Sequence, residues 1–489
     1  MIPDTVTASN MAFCVLQGKV NHLAVTGNST DPISMDQTAK KRLKKMIARK
    51  KMIIGKKVRD LLIFVVSVCL SIILGVSVFT LLVIKMQVLV ALAASIISFF
   101  LFMLGLNRLR LRIFNSDSSI INIGIIVPTI FFGALMFYVF ATPTKTYEST
   151  HSEVKQYGVA PDLIETSMGE KVAVYVQKPK TESNSESILF VNGGPGLAPN
   201  HSVKEFLDGY TDLGYTVYAF DPIGVRESPI PKNVDSYSME NEVRVIDDIV
   251  SHYNINKVNL VAHSFGGNVA TRFIEKNPEK VNAYLALDTA PIYSMNENYP
   301  GQQQDKEFGQ TVEPKRIEEK KDNGNVKVNP SLKQIVKWGF ANELREIFNL
   351  KDIPYGSYDE YDYYSNLLLS SVWGGVSKDG KLDFRMNTLS NDLLTKDLEK
   401  TPDFTKNLKK ESTPPTLVAH PEFGVVPWQI HYQYKEYFKN TQFLLIDGVG
   451  HNVWDTETSR KLLIENGDAL FQHEPLTDDY AKSDNPYPV

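Results

Sequence analysis

Residues 258–270 read VNLVAHSFGGNVA, an apolar run that meets a serine between small residues and then turns helical. Strand, serine, helix is the layout of a nucleophile elbow, the GxSxG pattern with Ala262 replacing the first glycine. The turn strains the serine backbone, so the residues two before and two after must be small. Ala262 and Gly266 meet that condition. The Ser264 hydroxyl then projects clear of the sheet, and the following helix N-terminus favours negative charge nearby. A hydroxyl needs a base to become a nucleophile. With the serine this early, the base is expected after the last strand. His451 stands there, in FLLIDGVGHNVW. His431 falls inside a predicted helix and His473 in a polar tail. An oxyanion hole needs two backbone N–H groups. One is expected from Phe265, just after the serine. The other is expected from the glycine-rich loop Asn192-Gly193-Gly194-Pro195-Gly196, where adjacent glycines let the backbone approach a substrate. A phosphate loop is excluded because no Lys-Ser/Thr follows.

The elements that must position these groups begin near Asp162. Strands are predicted at Lys171–Val176, Ser187–Val191, Thr216–Phe220, Val258–Ala262, Ala283–Leu287, Thr416–Ala419 and Gln442–Ile446. Helices are predicted between them at His201–Leu213, Met239–Tyr253, Gly266–Lys276, Trp428–Phe438 and Thr456–Leu470. Alternating βα units imply a largely parallel sheet with helices on both faces. The continuous apolar runs ILFV, LVA and LLI suit strands buried on both sides. Between Asp288 and Ser412 the rhythm breaks. Residues 294–330 are very polar, Ser331–Leu350 reads as an amphipathic helix, and SYDEYDYY at 357–364 precedes another apolar stretch. A mostly helical lid over one end of the sheet is expected.

Taken together, ILFVNGGPG, YAFDPIGVRES, VAHSFGGNVA and GVGHNVW resemble the α/β-hydrolase fold, and most of all the proline iminopeptidase group with its HGGPG, DQRGxGxS, GxSxGG and late Gly-His. The resemblance covers about 160–289 and 412–470. It implies Ser264 as nucleophile, His451 as base, and Gly194 with Phe265 as oxyanion donors. Three positions depart from the group. Asn192 stands where the group has histidine. Asp221-Pro222-Ile223-Gly224 replaces the Asp-Gln-Arg-Gly stretch, which removes a polar pair near the site. In PTLVAHPEFGVVP, residues 415–427, Gly424 occupies the position of the catalytic aspartate. Glu422, two residues earlier, is the expected acid, because its longer side chain could reach. Asp288, at the end of the Ala283–Leu287 strand, is the alternative acid.

The N-terminal part is of another kind. Residues 1–146 hold 17 Lys/Arg against 5 Asp/Glu, whereas 147–489 hold 35 against 51. So acidic a second part argues against nucleic acid. Three apolar runs, 61–84, 86–106 and 120–141, carry no Asp, Glu, Lys or Arg save at the Lys85 turn between the first two, and each is long enough to cross a membrane. The basic flanks at 40–59 and 108–112 favour the cytoplasmic side, so the chain from about 147 onward is expected outside the cytoplasm. The first apolar run starts too late and is too long for a cleaved signal peptide. The expected organisation is a disordered segment 1–38, a basic flank and three membrane helices over 39–146, a hydrolase core over 147–289 and 412–489, and a lid over 290–411. With Cys14 and Cys69 the only cysteines, a disulfide framework is excluded from 147–489. No histidine pairing at ligand spacing is evident, so neither metal nor cofactor is expected.

The function this implies is a membrane-anchored serine hydrolase resembling proline iminopeptidases, releasing N-terminal residues from short peptides through an acyl-enzyme. A carboxylesterase or lipid acyl hydrolase is the alternative, and a catalytically weak binding or sensing domain a third. An aminopeptidase needs a carboxylate for the substrate ammonium. Glu343, Glu346, Asp359, Glu360 and Asp362 are lid candidates, though each also reads as a solvated charge.

Overall fold

The computed structural model describes residues 37–114, 121–150, 157–292, 330–373, 385–476 and 479–487. The expected disordered segment therefore lies almost wholly outside the described residues, as does nearly all of the polar stretch 294–330.

Three long helices open the chain. α1 (Gln37–Val83) runs for 47 residues and takes in the basic segment 40–59 as well as the first apolar run. α2 (Val88–Phe114) continues through the basic flank of Arg108, Arg110 and Arg112. α3 (Ile121–Met136) ends in a π-turn, Phe137–Ala141. All three are long and apolar enough to cross a membrane. The chain divides into two compact units. The first comprises 1–73 and 100–125, where the Arg59 guanidinium lies over the Phe114 ring. The second comprises 74–99 and 126–489. Within it the helix ends pack closely: Phe99 stacks on Phe132 at 4.5 Å, and Ser95 Oγ donates to the Gly75 carbonyl at 2.7 Å.

An eight-stranded sheet fills the centre of the second unit, in the order β1-β2-β4-β3-β5-β6-β7-β8. The strands are β1 (Asp162–Glu165), β2 (Lys171–Gln177), β3 (Ser187–Val191), β4 (Thr216–Phe220), β5 (Val258–His263), β6 (Val281–Leu287), β7 (Thr416–Phe423) and β8 (Thr441–Gly450). Only β1/β2 and β2/β4 pair antiparallel. β1, short and mostly exposed, has no hydrophobic pattern to announce it. α4 (His201–Asp212) and α10 (Glu457–Phe471) cover one face; α5 (Met239–His252) and α6 (Gly266–Lys276) cover the other. The ILFV run of β3 serves both layers. Ile188 and Phe190 join Phe206 and Tyr210 on one side, while Leu189 and Val191 join Val269 and Phe273 on the other. That two-sided burial explains why the strand is apolar at every position. The lid supplies α7 (Leu332–Phe348), α8 (Tyr358–Trp373) and α9 (Thr388–Lys400). The predicted helix Trp428–Phe438 is broken into two short pieces, Trp428–Tyr432 and Tyr434–Tyr437.

Candidate active site

Ser264 leaves β5 with φ at 54°, a left-handed conformation that costs a non-glycine residue about 1–2 kcal/mol. Neighbouring groups hold it there. Its N–H donates to the Leu287 carbonyl at 3.2 Å, and its carbonyl accepts from Gly267 and Ala290, each at 2.9 Å. Gly266 is required because a Cβ there would lie 2.2 Å from the Val191 carbonyl oxygen. The elbow is thus wedged between the ends of β3 and β6. Phe265 stands at the N-cap of α6, where a backbone N–H has no acceptor within the helix.

The glycine loop after β3 packs directly on the elbow. A Cβ on Gly193 would come within 2.7 Å of Ser264 Cβ, so only glycine allows this approach. Gly194, the expected donor, has φ at 120° and turns the loop. Asn192, the departure from histidine, closes the loop by donating from Nδ2 to the Leu197 carbonyl at 2.9 Å. Lid residues hold the other side. Asn387 N–H donates to Gly196 O at 2.9 Å, Ala198 N–H to Arg385 O at 3.1 Å, and Asn391 Nδ2 to Pro195 O at 3.0 Å. The polar pair thought to be lost has a successor. Asp221 takes two bonds from Arg226, at 2.6 and 3.1 Å, and one from the Tyr175 hydroxyl at 2.7 Å. Arg226 in turn donates to the Pro199 carbonyl at 2.8 Å, just beyond the glycine loop.

His451 directly follows β8. Its Nδ1 lies 2.6 Å from Asp288 Oδ2, and Val425 N–H donates to the same oxygen at 3.0 Å. Asp288 is fully buried at the end of β6. Burial alone would raise its pKa. The His451 hydrogen bond and charge, His431 and the Val425 N–H more than offset that and hold the carboxyl down to about 2. Glu422 is engaged elsewhere, since its Oε2 accepts from Gly448 N–H at 2.8 Å. The expectation that Glu422 orients His451 is therefore corrected in favour of the alternative, Asp288. The reason is spatial. A Cβ at Gly424 would meet Asp288 Oδ1 at 2.8 Å and Oδ2 at 2.9 Å. The carboxylate from β6 fills the space that a side chain at 424 would use, and glycine at 424 makes room for it.

Three further histidines surround this pair. His263 Nε2 donates to the His451 carbonyl at 2.9 Å, and burial, reinforced by His451, pushes its pKa down to about 3, so it is a neutral donor. His431 lies in the pocket behind Asp288, with Nε2 3.7 Å from Oδ1 and 3.2 Å from the Thr289 carbonyl. His420 meets it Nδ1 to Nδ1 at 2.8 Å. Burial lowers the pKa of both, that of His420 to about 3. Asp288, His420 and His431 thus form a buried cluster whose possible ligand atoms lie within 4.8 Å of one another, which the linear spacing of the histidines did not suggest. A carbonyl can only accept, so Nε2 of His431 carries its hydrogen and its Nδ1 accepts from His420. The two imidazoles are thus tied to each other and to the Thr289 carbonyl, and they stand behind Asp288 Oδ1, which itself takes no hydrogen bond. Sequence reasoning missed the parts of His263 and His420 and weighed His431 only as a rival base; the only signal for His263 was its place next to the serine.

The α/β-hydrolase fold model matches residues 186–458, more than half of the chain. The chain belongs to the α/β-hydrolase fold family. Curated relatives of this α/β-hydrolase include epoxide hydrolase 1 of Caenorhabditis elegans, 33% identical over 103 residues, covering 21% of this chain and 24% of that one. A probable lysophospholipase, BODYGUARD 1 of Arabidopsis thaliana, is 25% identical over 142 residues, 28% of this chain and 30% of that one. A proline iminopeptidase of Lactobacillus helveticus is 26% identical over 116 residues, 23% of this chain and 39% of that one. The α/β-hydrolase thus aligns with well under half the length of these relatives. Among solved structures, an esterase from Exiguobacterium antarcticum is similar with a TM-score of 0.42 and 16% identity, over 64% of this chain and 99% of that one.

Proposed function

We propose that this α/β-hydrolase is a membrane-anchored serine hydrolase that cleaves carboxylic esters through an acyl-enzyme. The observation that carries the reading is the 2.6 Å contact between Asp288 and His451 Nδ1 beside a serine held at positive φ. In this reading His451 Nε2 removes the Ser264 proton as the hydroxyl attacks the acyl carbon. Asp288 keeps the imidazole in the required tautomer and stabilises its cation. The tetrahedral oxyanion is received by backbone N–H groups of Phe265 and the Gly193–Gly194 loop. His451 then gives its proton to the departing alcohol, and water repeats the sequence to release the acid.

The disposition of the lid carboxylates favours esters over the aminopeptidase reading. Glu360 accepts from Lys337 Nζ at 2.9 Å and from Thr144 N–H at 2.7 Å. Asp362 is fully buried and accepts from Thr388 N–H at 3.3 Å and Asn366 Nδ2 at 3.2 Å. Glu346 pairs with Lys396. Three of the five lid candidates are thus committed within the protein rather than presented to an ammonium group, while Glu343 and Asp359 are exposed. The basic flanks of the apolar helices support an extracytoplasmic site.

Fluorophosphonate labelling of the full chain, with and without Ser264→Ala, tests the nucleophile: label on the wild type and none on the variant is expected. Nitrophenyl esters compared with aminoacyl-nitroanilides, led by prolyl, test the substrate class. Turnover confined to the anilides would return the iminopeptidase reading. Protease shaving of intact cells tests the orientation, and complete protection of the hydrolase domain would overturn it.

A further inference from the structure

The lid is fastened to the ends of the apolar helices, and the fastening leaves one face of α7 in an unusual position. Lys333 Nζ donates to the Pro143 carbonyl at 2.7 Å, and Lys337 Nζ to the Thr142 carbonyl at 3.2 Å and to Glu360 at 2.9 Å. One turn further on, Phe340 meets the Phe140 ring at a tilt, centroids 5.7 Å apart, and stacks on Phe79 at 6.4 Å. Positions 333, 337 and 340 form one stripe of a helix. That stripe rests on the last turns of α1 and α3, so α7 lies across the helix ends rather than pointing away from them. The adjacent stripe, Gln334, Trp338, Ala341 and Arg345, is buried in the lid.

Leu332, Val336 and Ile347 flank the fastened stripe on its open side. They are 77%, 44% and 69% exposed. Large aliphatic side chains at i, i+4 and i+15, with Glu343 exposed among them, on a helix whose Lys333 reaches the chain's exit from the apolar segment make the pattern of an interfacial helix, its aliphatic side chains toward lipid and its Lys333 and Glu343 charges in the headgroup layer. Phe340 seats α7 on the buried Phe140 and Phe79 at the ends of the apolar helices, and Leu81, Phe137 and Tyr138 beside them are exposed, so what covers those side chains adjoins this face of α7.

We propose that α7 lies flat in the interfacial layer of the bilayer that α1–α3 cross, with Leu332, Val336 and Ile347 immersed in lipid. The occupant of this face is the host membrane itself. The inference rests on the apolar helices and the lid fastening, not on the chemistry at Ser264.

The test uses the full chain in phosphatidylcholine/phosphatidylglycerol nanodiscs, with Cys14→Ser and Cys69→Ser so that an introduced cysteine alone takes an environment-sensitive NBD label. Labels go on Leu332→Cys, Ile347→Cys and, as a control on the outer surface of α10, Lys461→Cys, whose native side chain is 77% exposed. The expected result is blue-shifted emission at 332 and 347, quenched by lipid spin-labelled near the carbonyl end of the acyl chain and spared by aqueous iodide, with the reverse at 461. Iodide quenching at 332 and 347 equal to that at 461 would overturn the proposal. So would protection from both quenchers, which would mean that protein covers the face. Should Leu332→Cys not yield folded protein by circular dichroism, Val336→Cys carries the same readout. Loss of fluorophosphonate labelling would count against the hydrolase reading and leave these outcomes unchanged.

Discussion

Asp288 sits where two demands meet. In the proposed reaction it must be ionised to hold the His451 cation, and it must be dry to hold it strongly. Its partners supply the first against the cost of the second, which is why its carboxyl stays ionised down to about pH 2. Asp288→Asn is expected to lower kcat on a nitrophenyl ester by up to about 10⁴-fold, because the imidazole loses both tautomer control and its counter-charge. Glu422→Gln is expected to leave kcat within about threefold, since that side chain only caps Gly448. Gly424→Asp, which restores the iminopeptidase pattern, is expected to reduce activity, because its Cβ would press on both Asp288 oxygens. Steady-state kinetics on the three variants checks all of this, and a crippling Glu422→Gln beside a silent Asp288→Asn would reverse the assignment. Glu242 in α5 offers a separate test. Burial raises its carboxyl to about 8. A raised carboxyl stabilises the fold fully below its unfolded pKa of about 4.3 and loses that contribution as pH rises through about 8. Thermal unfolding of Glu242→Gln should therefore match wild type near pH 4 and exceed it at pH 8 to 9; parallel curves across that window would refute the assignment.

At the level of elements, the loop that approaches Ser264 is not self-supporting. It is a glycine-rich segment held on one side by Arg226 and on the other by the first turn of α9. Asn387 is the pivot. Its side chain caps α9 through Ser390 N–H, donates to the Gly224 carbonyl at 2.7 Å and meets the Tyr237 hydroxyl at 3.0 Å, while its N–H holds Gly196. Asn387→Ala should cost about 1 kcal/mol of stability as a lost cap. It should also lower kcat by about 10–10² as the oxyanion donors drift. Asn387→Asp keeps the cap but not the two donated bonds, so it should restore stability without restoring kcat. Recovery of both together would mean that the loop does not depend on the lid.

Across the whole second unit, contacts lead from the helix ends to the glycine loop beside Ser264. Thr142 and Thr144 hold Lys337 and Glu360. Asp362 and Asn366, further along α8, hold Thr388 and Met386. Asn387 and Arg385 then hold Gly196 and Ala198. Lys337 and Glu360 are almost wholly buried, so removing either partner leaves an uncompensated charge. Lys337→Met alone is expected to destabilise the unit by about 3–5 kcal/mol, and the pair Lys337→Met with Glu360→Leu by much less. Chemical unfolding in detergent, followed by near-ultraviolet dichroism, measures both. Equal losses in the single and double variants would show that the ion pair is not coupled.

The local features of this protein were legible in its residues. The elbow around Ser264 is set by a few neighbours in sequence, since a strand, a small-residue turn and a helix start leave little freedom. The buried strands declare themselves because burial on both faces demands unbroken apolar runs, and the three helices long and apolar enough to cross a membrane because lipid admits no charge over about 20 residues. His451 was legible from chain order. Its acid was not. Whether Glu422 or Asp288 meets the imidazole depends on the register of β6 against β7, which sets Leu287 at the end of β6 opposite Ala419, three residues short of Glu422. It depends too on the volume left at Gly424, and neither quantity is written in either segment alone. The same holds for the buried histidines, brought from positions 263, 420 and 431 to one centre. It also holds for the lid, whose charged residues looked like surface until the fold turned Lys337 and Glu360 inward. Contacts within one turn or one strand follow from local propensity and hydrophobic period. Contacts between distant segments follow from packing, and packing is decided only when the whole unit closes.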